Sequence, residues 1–190
     1  MIAADNIVRT WETATAADHV RGVEWYGIAA ELAAELHHCP ETAAGVIAAM
    51  SPMMSWRSNV DVARRIIAAH DAGADCPASG YGLTRNVRKA WAILDGADPL
   101  DVLSGRKVRA FYANIIGDPD AVTVDRWAVR IALGDPEHPG TVGDRDHYAI
   151  ESAYREAAGR IGIAPRDLQA ATWVAFRRQH GAAHHDPEGS

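Results

Sequence analysis

Alanine dominates this chain, supplying 37 of its 190 residues. Alanine loses no side-chain entropy in a helix and has the highest intrinsic helix propensity, so such a sequence favours helices. The alternation of apolar and polar residues that marks a half-buried strand is hard to find, and no stretch reads convincingly as a strand. The sequence therefore predicts an all-α fold of about nine or ten short helices.

The most regular helical pattern covers residues 16–37, where apolar side chains recur at the i, i+3, i+4 spacing of one buried face. Pro40 stands where a first-turn proline belongs, just before a compact apolar helix over 41–50. Similar patterns predict helices at 6–12, 59–70, 84–94, 99–103, 107–116, 125–134, 147–160 and 165–179. The glycine- and proline-rich segment 71–82 predicts a surface linker between two lobes, and 134–146 predicts a polar loop.

Composition excludes several classes of protein. Mean hydropathy is -0.17, and no apolar run approaches the length of a membrane-spanning helix. Two cysteines make neither a disulfide framework nor a four-thiolate metal site, and no glycine-rich dinucleotide or phosphate-loop motif occurs. We expect a cytoplasmic protein without metal or cofactor and without a membrane partner. Its single helical domain is predicted to cover 1–180, followed by a disordered tail at 181–190.

Net charge at first argues against a nucleic-acid partner, because the whole chain carries a formal charge of -6. The distribution of charge changes this reading. Residues 84–130 contain eight Lys or Arg and six Asp or Glu, whereas the rest of the chain contains 11 basic and 19 acidic residues. The sequence therefore predicts modest, salt-sensitive binding of an anionic partner through one local face.

A helical hairpin is predicted at about 100–116, with its tight turn at Ser104 and Gly105. The start of the second helix would point backbone N–H groups outward, which suits a phosphate oxygen. Arg106, Lys107 and Arg109 add positive charge there, although the helix dipole disfavours cations at this end. An anionic partner would remove that conflict. An ordinary solvated corner between two helices explains the pattern equally well.

Asp125 follows an extended segment and precedes an apolar helix. Aspartate is among the best N-cap residues, so a purely structural role accounts for it. The same helix N–H groups would also stabilise the carboxylate as an anion that could act as a general base or support a cationic intermediate. The two interpretations are compatible, because a capping carboxylate that faces a cleft would have both properties.

Three motifs resemble the DNA glycosylases related to endonuclease III. LSGRKVRAFYANIIGDPDAVTVDRWAVRIALG, residues 103–134, is similar to their helix–hairpin–helix segment, which places a lysine about eighteen residues before a catalytic aspartate. Lys107 and Asp125 have that spacing here. Residues 40–66 resemble the apolar helix and serine-led loop that reach into DNA, and 163–178 resemble the closing helix. Trp127 stands where the family usually has histidine, and no cysteine cluster follows.

The resemblance implies a two-lobed helical domain that flips a base out of double-stranded DNA into a pocket between the lobes. It implies Asp125 and Lys107 as catalytic residues, Asp125 stabilising the sugar cation or activating the nucleophile and Lys107 attacking the sugar. Met53 and Met54 would wedge into the base stack. The remaining implied DNA contacts are Ser104, Gly105, Arg106, Arg109, Arg57 and Arg126. The implied pocket residues are Ser51, Trp56, Asn59 and Trp127.

Two alternatives remain at this stage. The segments SPMMSWRSN, residues 51–59, and VRAFYANIIGDPDAVTVDRWA, residues 108–128, resemble phage enzymes that hypermodify thymine. In those enzymes an amino acid such as glycine replaces the phosphate of 5-phosphomethyluracil in DNA. Asp125 would then deprotonate the amine of the free amino acid, and Arg57, Arg106, Lys107 or Arg126 would hold the leaving phosphate. The second alternative is a DNA-binding protein that has kept the fold without any catalytic activity.

Overall fold

The computed structural model describes residues 2–180, and within that range it confirms the predicted all-α class. No strand occurs among these residues. The predicted tail at 181–190 lies outside them. The helices are α1 Ala4–Glu12, α2 Ala16–Leu36, α3 Pro40–Met50, α4 Trp56–Asp71, α5 Thr84–Leu94, α6 Pro99–Val102, α7 Arg106–Ile115, α8 Arg126–Leu133, α9 Asp144–Ile161 and α10 Pro165–Gln179.

Two helices begin three residues earlier than their apolar patterns predict. Helix α4 starts at Trp56 because Ser55 caps it, its hydroxyl accepting the Ser58 N–H at 3.2 Å. Helix α9 starts at Asp144, and its first turn carries Asp144 and Asp146, which suit the positive end of the helix dipole. Both helices therefore begin before the regular apolar stripe that marks them in the sequence.

The described residues form two compact units. The terminal unit contains residues 2–28 and 117–180, and the central unit contains Ala29–Ile116. The segment between α4 and α5 lies inside the central unit, so the prediction that 71–82 links two lobes is wrong. Its glycine and proline content prevents regular structure but does not separate units. The segment is held instead by α4, where the Arg65 guanidinium stacks 4.6 Å from the Tyr81 ring centre and donates to the Gly80 carbonyl.

The terminal unit has one apolar core, to which α1, α8, α9 and α10 contribute. Its large, fully buried side chains are Ile7, Ile131, Ile150, Tyr154 and Leu168. Residues 122–124, which belong to no helix, add Val122 and Val124 to the same core and lead directly into Asp125 at the start of α8. Burial of these side chains provides the main favourable free energy of this unit and fixes where α8 begins.

Helices α2 and α10 approach each other closely within the terminal unit. A Cβ atom placed on Gly22 would lie 2.2 Å from the Cα atom of Ala171, so only glycine fits at this crossing. Asp18 and Arg178 form an ion pair on the same two helices. The first part of α2 is therefore fixed against α10 by backbone contact and by charge.

The central unit is built around α3. Eight consecutive residues of this helix, from Ala43 to Met50, are buried, and α4, α5 and α7 pack against it. Because neighbouring helices cover α3 on several sides, these residues are apolar around the whole helix and leave no polar face. The short helix α6 is started by Asp98, whose carboxylate accepts the Leu100 N–H at 2.8 Å, and it leads into the turn before α7.

Candidate functional site

Asp125 caps helix α8, as the sequence predicts. Its Oδ1 accepts hydrogen bonds from the backbone N–H groups of Trp127 and Ala128, both at 2.9 Å. The side chain is partly buried. Two N–H donors at the positive end of a helix stabilise negative charge on this carboxylate and fix its direction. The geometry therefore holds a single, oriented carboxylate at the start of α8.

The backbone just before Asp125 is also fixed. The Asp125 N–H donates to the Thr123 carbonyl at 3.0 Å, which closes a tight turn through Val124. The Thr123 hydroxyl lies 3.3 Å from the Tyr26 hydroxyl, which also donates to the Gln169 side-chain carbonyl at 3.1 Å. All three of these polar side chains are buried. A polar network from α2 and α10 thus supports the turn that presents Asp125.

Tyr154 is a second buried polar group near Asp125. It is completely inaccessible, and its hydroxyl lies 3.5 Å from the Thr172 hydroxyl, which donates to the Leu168 carbonyl at 2.8 Å. Burial raises the pKa of Tyr154 far above its usual range; the contact with Thr172 opposes this, and the negative charge of Asp125 raises the pKa further. Tyr154 therefore stays protonated and uncharged beside the carboxylate.

Sequence reasoning missed this supporting set of Tyr26, Thr123, Tyr154, Gln169 and Thr172. Each is a polar residue in a helix or a loop that, in a single sequence, looks the same as a solvent-facing residue. Tyr26 and Gln169 are separated by 143 positions, so no local spacing connects them. Of these residues, only Thr123 could have been singled out from the sequence, because it directly precedes the Val-Asp pair that leads into α8.

The predicted hairpin lies in the central unit as α6, a three-residue turn and α7. Gly105 ends the turn with a φ of 86°, a conformation that favours glycine, and no side chain caps α7. Ser104 is exposed, and the Lys89 ammonium on α5 donates to its hydroxyl. The first N–H groups of α7 and the Lys89 ammonium therefore lie at one end of the hairpin, which is the arrangement that an anion requires.

The cations of the hairpin differ in exposure. Arg106 and Lys107 are partly buried, and Arg109 is exposed. Within residues 2–180, Lys107 and Arg109 form no ion pair. The charges of Lys107 and Arg109 thus lack a carboxylate partner in the described part of the chain, although the helix dipole disfavours positive charge near the start of α7.

The loop between α3 and α4 presents one methionine to solvent. Met53 is 90% exposed and has a φ of 66°, the only positive φ at a non-glycine residue among those described. Met54 is partly buried, and its methyl group packs where a Cβ of Gly82 would be. The Ser51 hydroxyl donates to the Ala48 carbonyl at the end of α3. Met53 alone therefore projects from this loop, in a conformation that is costly for its residue type.

The three predicted residues at the start of α4 lie in different environments. Trp56 is partly buried, with its ring edge-on to Phe111 at 6.4 Å between ring centres. Arg57 is exposed. Asn59 is 2% exposed, and its side-chain oxygen has no hydrogen-bond partner within residues 2–180. An orphan buried acceptor of this kind lowers stability unless a water molecule or ligand satisfies it.

A family model matches residues 2–180, and its description is a family of unknown function, DUF7178. The chain belongs to the DUF7178 family. No curated protein and no solved structure matches it.

The predicted site residues of this DUF7178 chain divide between its two units. Asp125, Arg126 and Trp127 belong to the terminal unit, where Arg126 is exposed and Trp127 packs edge-on against Phe176. The other predicted residues belong to the central unit: Ser51, Met53, Met54, Trp56, Arg57, Asn59, Ser104, Gly105, Arg106, Lys107 and Arg109.

Two further findings, on metal binding and on membrane-spanning helices, apply to residues 2–180 of the DUF7178 chain. No three histidine, cysteine, aspartate or glutamate side chains in that range are grouped so that they could hold a metal ion. None of the helices there has the length and apolarity needed to cross a membrane.

Proposed function

We propose that this chain is an enzyme that acts on a base in double-stranded DNA, with Asp125 as its catalytic carboxylate. The observation that carries the proposal is the fixed geometry of Asp125, which accepts two helix N–H bonds while remaining partly exposed. A buried polar network supports its backbone. Such pre-organisation favours stabilisation of developing positive charge, because the carboxylate need not reorient during the reaction.

The chemistry that we propose is cleavage of a glycosidic bond. The bond between the sugar carbon and the base nitrogen breaks, the base leaves with the electron pair and takes up a proton, and water adds to the sugar carbon. Asp125 would stabilise the cationic sugar or accept the proton of the attacking water. Free base and an abasic site are the products.

In the proposed complex, the central unit supplies contacts to the duplex backbone. The uncapped start of α7, with Lys89, Lys107 and Arg109, supplies the N–H groups and positive charge that bind a backbone phosphate. Exposed Met53 is the apolar side chain that could enter the base stack. These contacts position DNA without reading its sequence.

Labelled duplexes carrying uracil, an oxidised base or 5-phosphomethyluracil test the proposal. We expect release of free base from at least one of them and loss of that activity by at least 100-fold in Asp125→Asn. Asparagine caps helices as well as aspartate does, so this variant should fold normally. Asp120→Asn is the matched control, because Asp120 is an exposed aspartate of the same unit. Equal activity of Asp125→Asn and wild type would refute the role of Asp125.

The same duplexes separate the other two functions. If the DNA gains mass only when a free amino acid is present, and the strand stays intact, the reaction is transfer of an amino acid onto phosphomethyluracil and not base release. Binding without turnover on any substrate would indicate a protein without catalytic activity. Borohydride trapping tests Lys107 separately, since a covalent adduct that is lost in Lys107→Gln is expected only if this lysine attacks the sugar.

A further inference from the structure

Arg130, on the second turn of α8, is a firmly held guanidinium. Its Nε donates to the His138 carbonyl at 2.7 Å, and its guanidinium carbon lies 4.9 Å from the centre of the Trp127 ring. The side chain is partly buried. Its two terminal amino groups make no hydrogen bond or ion pair within residues 2–180. The hydrogen bond of Nε and the stacking on Trp127 thus fix the guanidinium, while the N–H groups of Nη1 and Nη2 remain available as donors.

Arg126 precedes Arg130 by one helical turn on the same face of α8. Its guanidinium carbon lies 5.9 Å from the centre of the Trp127 ring, and the side chain is exposed. Within the described range it forms no ion pair. Like charges four residues apart destabilise a helix, so two such guanidiniums without a carboxylate partner favour a bound anion.

The loop between α8 and α9 fixes this arrangement. A Cβ on Gly140 would lie 2.3 Å from the Cβ of Arg126, so the loop presses against the first turn of α8. The Gly140 N–H donates to His138 Nδ1 at 3.0 Å, and Gly140 has a φ of 84°. The loop that supplies the His138 carbonyl is therefore seated directly on Arg126, and the two arginines and the tryptophan form one supported cluster.

We propose that Arg126, Trp127 and Arg130 form a phosphate-binding site on the terminal unit. Guanidinium groups match two phosphate oxygens with two parallel N–H bonds, and an arginine stacked on an aromatic ring is already ordered for that contact. Asp135 and Glu137 lie in the same loop and pair with neither arginine, and their charge makes the affinity modest. Phosphate binding at this site is argued from its own geometry. That the phosphate belongs to a DNA substrate and lies beside Asp125 rests on the proposed function.

Binding of an unmodified 12-base-pair duplex between 50 and 200 mM KCl tests the site. We expect Arg126→Gln and Arg130→Gln each to weaken binding three- to tenfold at 50 mM and to reduce the log–log salt slope by about 0.9, the value for one lost phosphate contact. Arg9→Gln is the matched control, since it removes one exposed arginine from another helix of the same unit. The Arg126 side chain makes no hydrogen bond within residues 2–180, so its variant should keep the wild-type melting temperature.

Inorganic phosphate distinguishes the two sources of the anion. We expect its addition to shift the NMR signal of Arg130 Nε–H saturably in wild type and less in Arg126→Gln. A phosphate response together with the loss of duplex affinity assigns the site to a DNA backbone phosphate. A phosphate response alone assigns it to a free phosphate or monoester.

The site is refuted if both glutamine variants bind duplex like Arg9→Gln and phosphate leaves the Arg130 signal unmoved. Because the readout is binding to unmodified DNA, this result is independent of turnover. Failure of Asp125→Asn to reduce base release would instead refute only the proposed reaction.

Discussion

Asp18 is almost completely buried in the terminal unit, and its charge has several partners. The Arg178 guanidinium donates to both carboxylate oxygens at 2.8 to 3.0 Å, and the Thr15 N–H and hydroxyl donate at 2.8 Å. Burial alone would raise the pKa of Asp18. The hydrogen bonds from Arg178 and Thr15, with the guanidinium charge, outweigh burial and lower the pKa to about 2.

This lowered pKa predicts a loss of stability in acid. A carboxyl that titrates near pH 3.9 when unfolded and about 2 when folded contributes fully above about pH 5 and loses most of its contribution as the pH falls to 2. We expect Asp18→Asn to reduce the free energy of unfolding by about 2 kcal/mol at pH 7, with a smaller difference from wild type at pH 2. Urea unfolding at both pH values measures this, with Asp120→Asn as the control. A constant difference at both pH values would contradict the assignment.

At the scale of single residues, local chemistry decides what sequence can reveal. Asp125 could be predicted as a cap because its partners are the next helix N–H groups. The supporting contact of Tyr26 with Thr123 crosses 97 positions and could not be predicted, since only the packed helices bring them together. The exposure of Met53 rather than Met54 depends equally on the folded loop.

At the scale of helices, the crossing of α2 and α10 gives a matched pair of substitutions. Gly22→Ala would place a methyl group against the Ala171 backbone, so we expect a loss of about 3 kcal/mol in stability. Gly27 is in the same helix with no atom near its Cβ position, so Gly27→Ala should gain about 1 kcal/mol through helix propensity. Thermal and urea unfolding compare the two. Equal effects would show that the close approach of the helices is wrong.

Helices were predictable where composition and spacing act locally. Apolar periodicity and Pro40 place α2 and α3 well, because a buried face repeats every turn. The linker over 71–82 was wrong for the opposite reason. Glycine and proline report that a segment is irregular, but Tyr81 and Gly82 are attached to α4 and Met54 by contacts that the sequence does not display.

At the scale of the whole molecule, the two units differ in net charge. The central unit contains nine acidic and nine basic residues, whereas the described part of the terminal unit contains 14 acidic and ten basic residues. The net charge of -6 therefore describes neither unit well. The hairpin and α5 carry a local excess of positive charge, because residues 84–116 contain six cations and three acids.

This distribution predicts how the proposed duplex binding responds to salt. Lys107 and Arg109 are the hairpin cations without ion pairs in the described range, so the double variant Lys107→Gln, Arg109→Gln should flatten the log–log salt slope by about 1.8. Arg64→Gln is the control, because Arg64 is an exposed arginine of the same unit that already faces Asp61 at 3.7 Å. Fluorescence anisotropy with an unmodified duplex measures both slopes. Cations of equal charge on one unit differ in their effect on the slope only if one of them contacts a phosphate directly. If the control flattens the slope as much as the hairpin variant does, duplex affinity depends on the total charge of the unit and not on phosphate contacts at the hairpin.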